Sequence, residues 1–122
     1  MTVSQAIQQI DALKHNTCTQ GEKLAWLSQL DGLVKALVLD THTPATPAFL
    51  GYTPQTPGDT ALLIPEEFSA VYRYWLEAQI DYVNGEYVRF NNASAMFAAA
   101  FRQFADHYHR THAPKTTRNR FR

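Results

Sequence analysis

The side chains best suited to bind a metal ion lie near the end of the sequence, where Asp106 is followed by His107, His109 and His112. Two zinc-binding histidines on one helix need a spacing of three or four residues, which places both imidazoles on one face. His109 and His112 have this spacing, whereas His107 lies elsewhere on the turn. The helix dipole alone also favours histidine at a helix C-terminus. Because a further ligand is missing, we interpret the group as a solvated helix end and predict no bound metal.

The other reactive side chains give no stronger case for catalysis. Glu77 and Asp81 are one helical turn apart and would share a proton if both were buried, but we expect such a pair on the solvent-facing side of an amphipathic helix. Cys18 has His15 three residues before it, and a nucleophile also needs a group that orients its base. The five glycines are scattered, so no loop cradles a phosphate. We predict no enzymatic activity and no cofactor; a metal-dependent hydrolase using the histidine pair is the weakest alternative.

Charge is distributed unevenly along the 122 residues, although the net charge is zero. The last thirteen residues carry five cations and no acid. All eleven acids and the other six cations lie before them, and this part of the chain, the body, has a net charge of 6 − 11 = −5. Nonspecific binding of nucleic acid needs surplus Lys and Arg. The body is therefore not suited to bind phosphates, whereas the basic end can bind any acidic surface.

Helical spacing of apolar residues dominates the sequence, and no segment shows the alternation of a strand. Ser4 is a candidate N-cap, Thr19 and Glu22 form a capping box, and Pro65 suits the first position of a helix. Asn84-Gly85 is the signal of a turn or a helix C-cap, and Asn91-Asn92 could divide the last helix into two. The sequence therefore predicts an all-α fold, a small bundle of about four helices. The predicted helices are Ser4–Lys14, Gln20–Leu39, Pro65–Val83 and Glu86–His109.

A segment rich in proline and threonine, residues 40–64, separates the second and third predicted helices. Its prolines exclude a helix, and loops of this length are often functional. The apolar residues of the loop either pin it to the body or form an arm on a neighbouring subunit, and both interpretations stay open. Two tyrosines of the next helix lie off its buried stripe, and exposed tyrosine is enriched at protein interfaces. The predicted subunit-interface residues are Phe49, Leu50 and Tyr52 of the loop and Tyr74 and Tyr82 of the helix.

We predict one helical domain over residues 1–114 and a basic tail over residues 115–122. The tail has four cations, no acid and one aromatic residue, a composition that cannot build a core and is disordered when free. In an extended chain the arginines lie on one side and Phe121 on the other. Arginine binds carboxylates bidentately, so the tail is suited to an acidic partner with an apolar pocket. The predicted docking residues are Lys115, Arg118, Arg120, Phe121 and Arg122.

Several segments along the chain form a pattern of apolar, aromatic and charged residues. These are Ile10–Lys14, Lys23–Leu27, Leu30–Gly32, Leu62–Phe68, Tyr72–Tyr82, Asn84–Asn92, Met96-Phe97 and Phe104–His112. Together they resemble a family of small tailed-bacteriophage and prophage proteins, the head–tail connector or adaptor proteins that attach below the portal. The resemblance covers most of the chain except the proline-rich loop and the last residues. Where the family usually has Asn-Ser-Met, this chain has the sequence Asn92-Ala93-Ser94-Ala95-Met96.

The resemblance implies a non-enzymatic helical protomer in a dodecameric ring. Such a ring extends the portal channel, seals packaged DNA with its partners and offers a platform for the next neck or tail-completion protein. The implied partners are the portal protein, that neck protein and DNA that passes without sequence-specific binding. The implied location is the virion, after synthesis in the bacterial cytoplasm. The charge distribution agrees, because an acidic channel lets DNA slide without sticking and a basic tail suits an acidic groove of the portal.

The alternative function is a small nucleic-acid-binding module that places its tail, residues 115–122, on phosphates. The acidic body and the lack of a second basic patch count against it. The longest apolar stretch, Ala93–Phe101, is too short to span a bilayer. Met1–Gln5 has neither the basic nor the apolar region of a signal peptide. We therefore expect no membrane partner and synthesis inside the cell.

Overall fold

The computed structural model describes residues 1–115, and most of these residues are helical. The helices are α1 (Val3–Leu13), α2 (Gln20–Leu37), α3 (Ala70–Val83) and α4 (Tyr87–Thr111). Shorter elements are the 3-10 turns Leu39–Thr41 and Glu66–Phe68 and the strands β1 (His42–Thr43) and β2 (Ala113–Pro114). The strands pair antiparallel, with His42 opposite Pro114. The prediction of an all-α fold with four helices is confirmed, and the small sheet is an addition that no alternating pattern indicates.

Capping residues fix where the first two helices begin. Thr19 and Glu22 form the predicted capping box: the Glu22 N–H donates to Thr19 Oγ1 at 3.1 Å, and the Thr19 N–H donates to Glu22 Oε1 at 2.8 Å. The prediction that Ser4 caps α1 is wrong, because Thr2 caps the helix and forms a capping box with Gln5. Ser4 lies inside α1, where its backbone N–H donates to a carbonyl of the long loop.

The third helix begins later than predicted. Pro65 has an extended backbone (φ −59°, ψ 157°) and precedes the 3-10 turn Glu66–Phe68 instead of opening an α-helix. The Phe68 N–H donates to the Pro65 carbonyl at 2.9 Å, the three-residue step of a 3-10 turn. The start predicted at Pro65 is therefore wrong for the α-helix, which begins at Ala70.

Helices α3 and α4 form a hairpin joined by a tight turn. Gly85 has φ 75°, a left-handed conformation that glycine adopts without strain, so the predicted Asn84-Gly85 turn is confirmed. Helix α4 continues without a break through Asn91 and Asn92, whose side chains are exposed. Asparagine in a helix costs less than about 1 kcal/mol relative to alanine. That cost is too small to divide a helix packed along α3, and residues 87–111 form one helix.

Helix α3 packs against each of the other three helices and lies at the centre of the bundle. The long loop contributes Tyr52, Leu62 and Ile64 to the same core, so part of it belongs to the body. Within residues 1–115, no helix combines the length and the apolar content needed to cross a bilayer. The side chains at the centre of the core include Ile10, Leu27, Leu30, Val34, Tyr72, Leu76, Ile80 and Phe104.

Candidate functional site

A buried carboxylate, Asp31 of α2, holds the long loop to the helices. It accepts hydrogen bonds from the hydroxyls of Tyr52 at 2.5 Å and Tyr72 at 2.6 Å and from the Leu63 N–H at 3.1 Å. Burial raises the pKa of the Asp31 carboxyl, and the three hydrogen bonds act in the opposite direction. Burial and the nearby Asp31 both raise the pKa of each tyrosine. The carboxylate is fully buried with these three donors, so its role is to fix the loop. Sequence reasoning missed Asp31, because its partners come from distant parts of the chain.

The three predicted interface residues of the loop have different environments. Tyr52 is buried and bonded to Asp31, so its assignment to a subunit interface is wrong and it pins the loop to the body. Phe49 is half-buried, with its ring 5.0 Å from that of Tyr52. Leu50 is 92% exposed. Gly51 separates Leu50 from Tyr52 with φ 87°, and a Cβ at this glycine would lie 3.0 Å from Ser28 Oγ. A rigidly attached loop therefore presents a single leucine to solvent.

An apolar groove of about 150 Å³ lies between α2, α3 and α4. Leu33 and Leu37 of α2 form one wall and are largely exposed. At 100° per residue, these leucines lie on the side of α2 opposite Asp31, and hence opposite the long loop. The groove and Leu50 are therefore two separate apolar surfaces of one chain. The side chains that line the groove are Leu30, Leu33, Leu37, Trp75, Phe97 and Phe101.

The turn between α3 and α4 carries further exposed apolar side chains, which we call the aromatic tip: Tyr82, Val83, Tyr87 and Val88. Tyr82 is 60% exposed, and its ring lies 5.7 Å from that of Tyr87. The structure thus places the predicted interface residue Tyr82 on an open surface. Tyr74, the other predicted tyrosine of α3, is half-buried, and the Arg73 guanidinium lies 5.2 Å from the centre of its ring.

The carboxylates Glu77 and Asp81 do not form a catalytic pair. Lys14 Nζ donates to Asp81 Oδ1 at 2.7 Å, and Arg73 Nε lies 3.5 Å from Glu77 Oε1. Each carboxylate thus pairs with a cation of its own and not with the other carboxylate. The expectation that the pair lies on the solvent-facing side is wrong for Asp81, which is 2% exposed because α1 brings Lys14 over it.

The predicted histidine pair is separated by contacts that the sequence does not show. His109 Nδ1 lies 2.7 Å from Nε2 of His42, at the start of the long loop. His112 instead stacks on Tyr108, with ring centres 3.7 Å apart, and His107 contacts Phe68. Within residues 1–115 no three side chains of the metal-binding types come together. Sequence reasoning missed His42 because nothing in its local pattern indicates a partner 67 residues away.

Of the predicted docking tail, the structure describes Lys115. Its side chain is exposed, and its backbone N–H donates to the Thr41 carbonyl at 2.9 Å, which extends the pairing of β2 with β1. Arg118, Arg120, Phe121 and Arg122 lie outside the described residues. No protein-family model, curated protein or solved structure matches this chain. A functional proposal must therefore rest on the surfaces of the molecule and on the resemblance in its sequence.

Proposed function

We propose that the chain is the subunit of a head–tail adaptor ring of a tailed bacteriophage, located below the portal. The observation that carries the proposal is the pair of separate apolar surfaces on α2 and its loop. A chain with two different complementary surfaces associates head to tail, and such contacts close into a ring when the rotation permits it. The resemblance to the connector family supplies the dodecameric ring and the place of that ring in the virion.

In the proposed ring, Leu50 of one subunit contacts the groove of the next. The loop is suited to this role because Asp31 and Tyr52 hold it in place, so little conformational entropy is lost when Leu50 becomes buried. Covering one leucine side chain contributes about 1.5–3 kcal/mol, so this contact needs support from other surfaces. The exposed aromatic tip is the second candidate surface for a neighbouring subunit or a neck protein.

The basic end of the chain is the proposed docking segment for the portal. Lys115 leaves the body beside β1, and residues 115–122 carry four cations without an acid. Arginine forks pair with carboxylates of an acidic groove, while the acidic body lines a channel through which DNA passes. The alternative, a module that binds nucleic acid through the same residues, predicts a strong dependence of duplex binding on salt.

Native mass spectrometry of the purified chain, alone and mixed with the portal, tests the proposal. We expect a ring with the portal, and loss of that ring in the variants Leu50→Asp and Leu37→Asp. The matched control is Leu13→Asp, which changes another largely exposed leucine outside both surfaces. A single copy in the assembled particle would overturn the adaptor proposal. Rings that tolerate both substitutions would overturn only the proposed subunit contact.

A further inference from the structure

His42 and His109 connect the start of the long loop to the end of α4. The His42 side chain is 4% exposed, and its ring centre lies 4.6 Å from that of His109. The contact is beside the β1–β2 pair, where the Lys115 N–H donates to the Thr41 carbonyl. The two imidazoles therefore join the same two segments of the chain that the small sheet joins.

The hydrogen bonds fix where the protons lie. His42 Nδ1 is 2.7 Å from the Val38 carbonyl oxygen, which can only accept, so Nδ1 carries a hydrogen. Nε2 of a neutral His42 then has a lone pair that faces His109 Nδ1 at 2.7 Å. His109 must donate to it from Nδ1. The contact is thus a directed hydrogen bond from an exposed imidazole to a buried one.

This arrangement accepts one additional proton but not two. The first proton goes to Nε2 of His109, which keeps the hydrogen bond and makes its donor a cation. A second proton has to bind Nε2 of His42. The new N–H of His42 then faces the N–H of His109, so two cationic imidazoles are in contact with no acceptor between them. We propose that the His42–His109 pair is a pH-sensitive latch, which holds the C-terminal end of α4 and β2 against β1 and opens when both imidazoles are protonated.

The other groups around the pair do not compensate for the second charge. The Tyr108 and His112 rings lie 5.0 and 6.5 Å from the His42 ring, and neither residue provides an anion at acidic pH. Asp40, two residues before His42, is paired with Lys35 at 2.8 Å. Asp106, one helical turn before His109 on α4, is exposed and forms no hydrogen bond or ion pair with either imidazole. Lys115 and Arg110 add positive charge to the same end of the chain. Within residues 1–115 no carboxylate accepts a hydrogen bond from either imidazole.

The latch would control the attachment of the C-terminal segment. In the closed state, β2 and Lys115 are held beside β1. In the open state they are held by the backbone bonds of a two-residue strand pair and by the Thr43 hydroxyl, which donates to the Ala113 carbonyl at 3.4 Å. Such a short pair is marginal by itself. Acidification in the range where imidazoles titrate would therefore free the segment that begins at Ala113 while the helices stay folded. This inference does not depend on the adaptor function.

Amide hydrogen exchange and imidazole ¹⁵N shifts of the full chain, measured by NMR at pH 7 and pH 5, test the latch. The protection factor of an amide is its intrinsic exchange rate divided by its observed exchange rate. We expect the protection factor of the Lys115 amide to be about tenfold lower at pH 5 than at pH 7. The Leu62 amide, which donates to the Met1 carbonyl elsewhere in the fold, is the internal control. At pH 7 the ring of His42 should carry its proton on Nδ1.

Two variants separate the latch from general effects of pH. His109→Ala should lower the Lys115 protection at both pH values and remove the pH response. His15→Ala removes an exposed histidine elsewhere and should keep the wild-type response. A His42 proton on Nε2 at pH 7, or equal Lys115 protection at both pH values, would overturn the proposal. An unchanged pH response in His109→Ala would also overturn the proposal. If that variant does not fold, the imidazole ¹⁵N shifts of the wild type test the proposal instead.

Discussion

The hydrogen bonds around Asp31 make a quantitative prediction for three Tyr→Phe substitutions. Tyr52→Phe removes one donor from Asp31 Oδ2, which still accepts from the Leu63 N–H. Tyr72→Phe removes the donor to Oδ1 and also the acceptor of the Ile64 N–H, which lies 2.8 Å from the Tyr72 hydroxyl. Tyr82→Phe is the matched control, because its ring is exposed on the aromatic tip.

The two buried tyrosines should therefore contribute unequally to the free energy of unfolding. A hydrogen bond to a charged group contributes about 1.5–3 kcal/mol, which is the expected cost of Tyr52→Phe. Tyr72→Phe loses a similar bond and leaves a buried N–H without an acceptor, which costs about 1–3 kcal/mol more. We expect a total of about 2.5–6 kcal/mol for Tyr72→Phe. A surface change such as Tyr82→Phe should stay within about 0.5 kcal/mol of the wild type.

Urea unfolding at pH 7, followed by far-UV circular dichroism, measures these differences. The m-values should match that of the wild type, since the same surface becomes exposed in each case. Equal costs for Tyr52→Phe and Tyr72→Phe would contradict the bridging role of the Tyr72 hydroxyl. Costs as small as that of Tyr82→Phe would show that Asp31 does not hold the loop.

Three further outcomes follow from the charged groups. Because burial raises the pKa of the Asp31 carboxyl, this carboxyl keeps its proton to a higher pH in the folded chain than in the unfolded chain. The wild type should therefore lose stability relative to Asp31→Asn as the pH rises above 3.8, and urea titrations measure this loss. Lys14→Met leaves Asp81 buried without its cation and should cost about 3–5 kcal/mol in urea unfolding, whereas Arg89→Met at the surface should cost under about 1 kcal/mol. Deletion of residues 115–122 should leave the far-UV spectrum helical and abolish portal binding in a pull-down, and unchanged binding would contradict the docking role.

Features encoded by neighbouring residues were predictable from the sequence. The capping box at Thr19, the turn at Gly85 and the apolar stripes of the helices depend on contacts within one or two turns. The predicted starts of α1 and α3 were wrong, because nearby residues also allow a different start. Thr2 caps α1 in place of Ser4, whose backbone N–H donates to the Gly58 carbonyl of the long loop, and Pro65 precedes a 3-10 turn instead of opening α3.

The sites depend on residues far apart in the sequence, and the sequence pattern does not show them. Asp31 has the spacing of the buried stripe of α2, between Leu27 and Val34, but its donor Tyr52 is 21 residues away. The imidazole partner of His42, His109, is 67 residues away. Leu50 stands among similar apolar residues of the loop, and the sequence alone does not show that it is the exposed one.

The contacts between α1 and the long loop have a consequence for synthesis on the ribosome. The Val3 and Ser4 amides donate to the carbonyls of Thr60 and Gly58, and the Leu62 amide donates to the Met1 carbonyl. A nascent chain therefore completes the start of α1 only after Gly58, Thr60 and Leu62 have been made and have left the exit tunnel. Until α2 has also been made, α1 is an isolated helix of eleven residues, a length that is marginal in water. The start of α1 is thus completed together with the loop, and the Val3 and Ser4 amides become protected in the same step as Leu62.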